Sequence, residues 1–231
     1  MIKAVVFDAY GTLFDVYAIS ALAERLYPSH GTAISTIWRD KQIEYTRLIS
    51  LSDPHNPAGS RHYLPFWELT RLSLRYTLAR LKLTLTAENE DALMGQYAHL
   101  TAFSENLGVL KALKAKGFAT AILSNGNPEM LASAVTSAGM SHLLDHVISV
   151  DSIQQFKTSP GSYALVTQYF PVQNDEILFV SSNAWDALGA TWYGFTTFWV
   201  NRQGLPYETL GPKPTYTAAD LTGVLDVLGV L

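Results

Sequence analysis

Nine polar side chains could do chemistry in this sequence: Asp8, Thr12, Ser124, Asn125, Lys157, Ser181, Ser182, Asn183 and Asp186. A carboxylate attacks carbon or phosphorus as a nucleophile, or takes a proton as a general base. An ammonium beside it favours the ionised form when water is excluded. Taken singly, each residue also has an ordinary reading. Asp8 leads into Ala9-Tyr10-Gly11, and aspartate before a glycine turn is common turn chemistry. Serines and asparagines such as Ser124, Asn125, Ser181, Ser182 and Asn183 cap helices. Asp186 suits the first turn of a helix, and Lys157 alone reads as a solvated surface lysine. Whether these residues do chemistry depends on whether the fold gathers them.

The elements that carry them can be read from periodicity. Asp8 closes the apolar, β-branched run Ile2-Lys3-Ala4-Val5-Val6-Phe7, the pattern of a buried strand in a parallel sheet. The period then changes. Residues 16–27, 33–51, 66–83 and 87–100 read as helices, with a loop at 52–60 rich in proline and glycine. From about residue 105 the chain alternates. Helices are expected at 106–116, 128–138, 161–170 and 185–193, strands at 118–123, 147–150, 176–180 and 196–200, and a terminal helix from about 219. This predicts an α/β fold: a doubly wound, Rossmann-like parallel sheet (1–14 and 101–231) with an inserted α-helical cap domain (15–100). In such a sheet, whatever follows each strand lands on one edge, where ligands bind. Asp8 with Thr12, Ser124 with Asn125, Ser181 to Asn183 with Asp186, and Lys157 all follow strand ends.

Composition narrows the classes. The 231 residues are 48% hydrophobic and 16% charged, which argues for a folded protein rather than a disordered one. A net charge of −4 gives no reason to expect nucleic acid or an anionic membrane. There is no cysteine, so disulfides, thiolate metal sites and cysteine nucleophiles are excluded. No apolar run is long enough to span a membrane, and the first residues read as a strand, not an export segment. A soluble, cytoplasmic protein is expected. The six histidines show no ligand spacing.

Four stretches together resemble the motifs of the haloacid dehalogenase superfamily: Asp8-Ala9-Tyr10-Gly11-Thr12-Leu13, Ser124-Asn125-Gly126, Lys157 ahead of Pro160 and Tyr163, and Ser181-Ser182-Asn183-Ala184-Trp185-Asp186. The resemblance spans nearly the whole chain. Trp38-Arg39, Lys41-Gln42, Glu44-Tyr45-Thr46 and Phe66-Trp67 extend it into the cap, where the sequence is similar to the L-2-haloacid dehalogenase branch. Phosphatases of the superfamily carry a second aspartate two residues after the nucleophile; here that residue is Tyr10. A departing alkoxide needs a proton from a general acid, whereas a halide leaves without one. The adjacent acids with which phosphatases hold Mg²⁺ are replaced by Ser181-Ser182-Asn183, a poor set for a hard cation. No metal and no cofactor are expected.

The resemblance implies that Asp8 attacks C2 of a 2-haloalkanoate and forms an ester, which water then hydrolyses to a 2-hydroxy acid of inverted configuration. It implies that Thr12 and Asn183 orient Asp8 and that Lys157 keeps it charged. Ser124 and backbone N–H groups including that of Tyr10 would take the substrate carboxylate. Arg39, Asn125 and Phe66 would take the halide, and Asp186 would activate the water, through Lys157. Leu13, Tyr163, Ser181 and Trp185 are expected around the substrate, with Tyr163 lining or bracing the pocket and Trp185 equally open to a packing role. Homodimers are common in the family. A phosphatase or phosphotransferase is the main rival, and a non-catalytic binding module the second. The stretch 52–62, with Pro54, Pro57 and Gly59, is longer than the family pattern leads one to expect. It reads as a surface insertion, or as a lining of the cap entrance or of a subunit interface.

Overall fold

The structure is a computed structural model that describes residues 1–230. Strand β1 (Ala4–Phe7) is buried at every position, as its unbroken apolar sequence demands. The chain leaves it through a tight turn in which the N–H groups of Leu13 and Phe14 both donate to the Ala9 carbonyl, at 2.9 and 3.0 Å. Gly11 takes a φ of 94° there, a left-handed conformation that side chains disfavour.

Helices follow: α1 (Ile19–Leu26), α2 (Gly31–Ser52), α3 (Phe66–Arg80) and α4 (Ala87–Ala98). Trp38 Nε1 of α2 donates to the Thr70 carbonyl of α3 at 2.7 Å. Arg71 and Arg75 of α3 share Glu90 of α4, each at 2.8 Å. Both contacts tie the helices side to side.

The remaining elements alternate: α5 (Asn106–Ala115), β2 (Ala119–Ser124), α6 (Pro128–Ser137), β3 (His146–Ser149), α7 (Pro160–Ala164), α8 (Val166–Tyr169), β4 (Ile177–Ser181), α9 (Ala184–Tyr193), β5 (Thr196–Val200), β6 (Tyr216–Ala218) and α10 (Gly223–Leu228). They build one parallel sheet in the order β3-β2-β1-β4-β5-β6. The order reverses on either side of β1, so β1 is the switch point at which open α/β sheets place ligands. Phe7 pairs with Ile122 of β2 and Val180 of β4, which aligns the three strand ends.

Three expectations need correction. Strand β6 was not anticipated, because Tyr216-Thr217-Ala218 is a short edge strand without a buried apolar face. The terminal helix starts at Gly223, not near 219, because Asp220 turns the chain by accepting from the Thr222 N–H at 2.9 Å. The stretch 161–170 forms two short helices that meet at Leu165.

Candidate active site

Asp8 follows the last residue of β1, and its own N–H donates to the Val180 carbonyl of β4 at 2.9 Å. That bond locks the start of the turn against the neighbouring strand. The residue is only 5% exposed, and its carboxylate meets three donors. Thr12 Oγ1 and Asn183 Nδ2 donate to Oδ2 at 3.0 and 2.7 Å, and Lys157 Nζ donates to Oδ1 at 3.1 Å. Thr12 is itself fixed by the Ser182 N–H at 2.8 Å. Asn183 is fixed by a second bond from Nδ2 to the Tyr10 carbonyl at 3.0 Å.

Lys157 is buried and its ammonium bridges two acids, with Asp186 Oδ2 at 2.9 Å on the other side. Burial alone would lower its pKa, but the Asp186 and Asp8 carboxylates outweigh that and raise it, so the lysine stays charged. Asp186 lies in the first turn of α9, fully buried. Burial, against the pull of Lys157, pushes it up to about 6. Tyr163 of α7 donates to Asp186 Oδ1 at 2.8 Å, which favours the charged form. Both carboxylate oxygens of Asp186 are therefore engaged by protein groups, and its route to Asp8 runs through Lys157.

Arg39 projects from α2 onto this edge. Its Nη2 donates to the Tyr10 carbonyl at 3.2 Å and to Asn183 Oδ1 at 3.3 Å, so α2 touches two loops of the sheet edge. Tyr10 is buried in an aromatic cluster, with ring centroids 5.8 Å from both Phe66 and Tyr97. Burial pushes its phenol well above the usual value, which makes it a poor proton donor. Phe66, the first residue of α3, is wholly buried beside it. Asn125 Oδ1 accepts the Lys157 N–H at 2.9 Å, which joins the β2 end to the lysine segment.

Several expected residues have other first partners. Tyr163 OH is engaged by Asp186 Oδ1. Ser181 Oγ is used within its own turn, where it accepts the Asn183 N–H at 3.1 Å. Ser124 Oγ likewise accepts the Gly126 N–H at 3.1 Å. Leu13 is a core residue whose carbonyl accepts from Asn106 Nδ2 at 2.7 Å. The Trp185 ring carries the Arg47 guanidinium at 5.5 Å, and Trp185 lines a cavity of about 830 Å³. Gly11, Arg39, Asn183 and Arg202 line that cavity too, and Asp8 does not. Asn183 thus both lines the cavity and donates to Asp8.

Sequence reasoning gave two contributors no role. Arg202 follows β5 and donates to the Thr12 carbonyl at 3.2 Å; the rule that strand ends share one edge could have found it. Gln42 accepts from Arg39 Nη1 at 2.7 Å; its place three residues after Arg39 on one helix was the available signal.

The arrangement holds the Asp8 carboxylate in a buried site, with an ammonium on one oxygen and Arg39 bonded to the Asn183 amide that orients it. That suits nucleophilic displacement at carbon through a covalent ester.

Residues 2–194 match the family model for haloacid dehalogenase-like hydrolases. The chain is 40% identical over 226 residues to an (S)-2-haloacid dehalogenase of Pseudomonas sp. (strain YL), covering 98% of this chain and 94% of that protein. A crystal structure of an L-2-haloacid dehalogenase superposes with a TM-score of 0.95 at 54% identity, covering 99% of both chains. The L-2-haloacid dehalogenase of Xanthobacter autotrophicus, solved with chloropropionic acid covalently bound, superposes with a TM-score of 0.88 at 36% identity over 99% of both chains.

Proposed function

The chain belongs to the haloacid dehalogenase-like hydrolases, and on that footing we propose that it hydrolyses short 2-haloalkanoic acids to 2-hydroxy acids, as an (S)-2-haloacid dehalogenase. Asp8 attacks C2 from the side opposite the halogen, the carbon–halogen bond breaks, and halide leaves with the bonding pair. Water then adds to the Asp8 ester carbonyl. The 2-hydroxy acid departs with inverted configuration, Asp8 is restored, and one proton is released.

The observation that carries this reading is the pairing of a fully oriented Asp8 carboxylate with Tyr10, a buried phenol of raised pKa, two residues later. A nucleophile without a neighbouring acid suits a leaving group that needs no proton.

The residue roles form part of the proposal. Thr12 and Asn183 aim the carboxylate, and Lys157 holds it ionised. Arg39, with Asn125 and Phe66, stabilises the halide as its charge develops. Ser124 and the Tyr10 N–H take the substrate carboxylate, with Leu13, Ser181 and Trp185 around it. Asp186, braced by Tyr163, acts on the hydrolytic water through Lys157. We assign residues 15–100 to a cap domain over a core of 1–14 and 101–231. A metal has no part in the scheme: an ammonium already occupies the place between the two carboxylates. We propose a cytoplasmic homodimer, joined through the α2 and α3 face where Leu48, Leu51, Leu72 and Tyr76 are exposed. No helix among the described residues is long and apolar enough to cross a membrane.

A single turnover in heavy-oxygen water, with enzyme in excess over (S)-2-chloropropionate, tests the chemistry. Label is expected on Asp8 and not in the first product; label in that product means that water attacks C2 directly. Halide release is expected to survive a strong chelator, and full loss restored by Mg²⁺ would favour a phosphatase-type centre. Chloroacetate and both enantiomers of 2-chloropropionate report the substrate class.

A further inference from the structure

We propose that Gln42 is a positioning residue for Arg39, that Thr70 fixes the Gln42 amide, and that this relay aims the guanidinium at the departing halide; the proposal rests on the haloacid reading above.

Gln42 is wholly buried on α2, so no water competes for its amide. An amide can face a site with its oxygen or its nitrogen, and the hydrogen-bond network must choose. Here Thr70 makes the choice. Its Oγ1 lies 2.8 Å from the Phe66 carbonyl oxygen of its own helix. A carbonyl only accepts, so the hydroxyl's single proton points there. Thr70 Oγ1 can then serve Gln42 only as an acceptor, and the Gln42 Nε2 group faces it at 2.6 Å. The other end, Oε1, is thereby turned towards Arg39 Nη1 at 2.7 Å and Tyr97 OH at 3.1 Å.

The consequence reaches the site. With Nη1 tied to Gln42, the planar guanidinium has its second arm set, and Nη2 meets the Tyr10 carbonyl and Asn183 Oδ1. A long side chain rooted in α2 is held in one pose at the sheet edge. Donors fixed before charge develops need no reorganisation as halide forms. Phe66 enters twice: its ring packs against Tyr10, and its carbonyl starts the relay that orients the cation.

The test is single-turnover halide release from (S)-2-chloropropionate and (S)-2-bromopropionate, with hydrolysis of the Asp8 ester followed separately. Chloride is the poorer leaving group and depends more on Arg39. Gln42→Leu is expected to slow chloride release by about tenfold, to slow bromide release less, and to leave ester hydrolysis unchanged. Gln42→Glu keeps an acceptor on Arg39 and is expected to restore most of the rate. Thr70→Val, which keeps Gln42 but removes its orienting acceptor, should show the same pattern more weakly, and it provides the readout if Gln42→Leu does not fold. An unchanged bromide-to-chloride ratio in Gln42→Leu and Thr70→Val overturns the relay, as does equal slowing of all steps together with a lowered Tm. Failure of the wild-type protein to release halide overturns the haloacid reading and the relay's halide role together; normal wild-type release with unaffected variants overturns the relay alone.

Discussion

Lys157 Nζ lies 3.1 Å from Asp8 Oδ1, although the two residues are 149 positions apart in the chain. The same ammonium stands 2.9 Å from Asp186 Oδ2. One cation thus serves two carboxylates, and all three groups are buried. A buried charge without a partner is far more costly than a surface one, so the centre works as a unit.

Removing the cation should therefore cost both stability and activity. Lys157→Met keeps the length of the side chain and deletes its charge. It leaves two buried acids facing each other, and breaking such a pair costs about 3–5 kcal/mol. Halide release is expected to fall at least about a hundredfold. Urea unfolding measures the first effect and a halide assay the second; a variant as stable and active as the parent would refute the bridging role.

The pH profile should report Asp186. Its pKa is raised to about 6, chiefly by burial. The working form is the ionised one, so activity is expected to rise as pH climbs through about 6. Stability runs the other way for this group. A folded-state pKa above the unfolded one means that the folded protein holds the extra proton. The group's contribution is then fully present in acid and is lost as pH rises through about 6. Tyr163 donates to the ionised carboxylate and lowers this pKa. Tyr163→Phe should accordingly move the acid limb of kcat/KM to higher pH. A limb that stays in place would show that Asp186 does not set it.

The segment 53–65, between α2 and α3, packs on the loop that leads to Lys157. The Ser60 N–H donates to the Gln154 carbonyl at 3.2 Å, Tyr63 OH donates to Asp151 Oδ1 at 2.5 Å, and the Phe156 N–H donates to Ser50 Oγ of α2 at 2.9 Å. Gly59 sits at the closest approach with φ 91°, where a Cβ would lie 2.5 Å from the Ile153 carbonyl oxygen and 2.4 Å from Gln154 Cβ. Gly59→Ala is expected to lower stability by about 1–3 kcal/mol and to reduce activity by displacing the lysine loop. Gly95→Ala is the control: it lies within α4 with open space around it and should be neutral or stabilising, by up to about 1 kcal/mol. Equal Tm values for Gly59→Ala and the parent would remove the clamp.

Much of this molecule was legible in its sequence. Strands such as Ala4–Phe7 and Thr196–Val200 are continuous apolar runs bounded by turns, and local periodicity suffices to find them. Parallel topology then sends every strand end to one edge, so Asp8, Ser124, Asn183 and Asp186 could be grouped without coordinates. Tyr10, where a phosphatase has an acid, could also be read directly. Other features depend on partners far away in the chain. Gln42 is one polar residue on a helix until Thr70, 28 positions on, fixes its amide. The proline-rich segment after α2 reads as an insertion until Gly59 is found against Ile153. Tyr163 becomes a brace for Asp186 only once α7 is set beside α9. Side-chain type and spacing reflect local forces and so identified the strands and the residues at their ends. The direction of each hydrogen bond depends on which groups the packed helices exclude from water, and that was decided only by the tertiary structure.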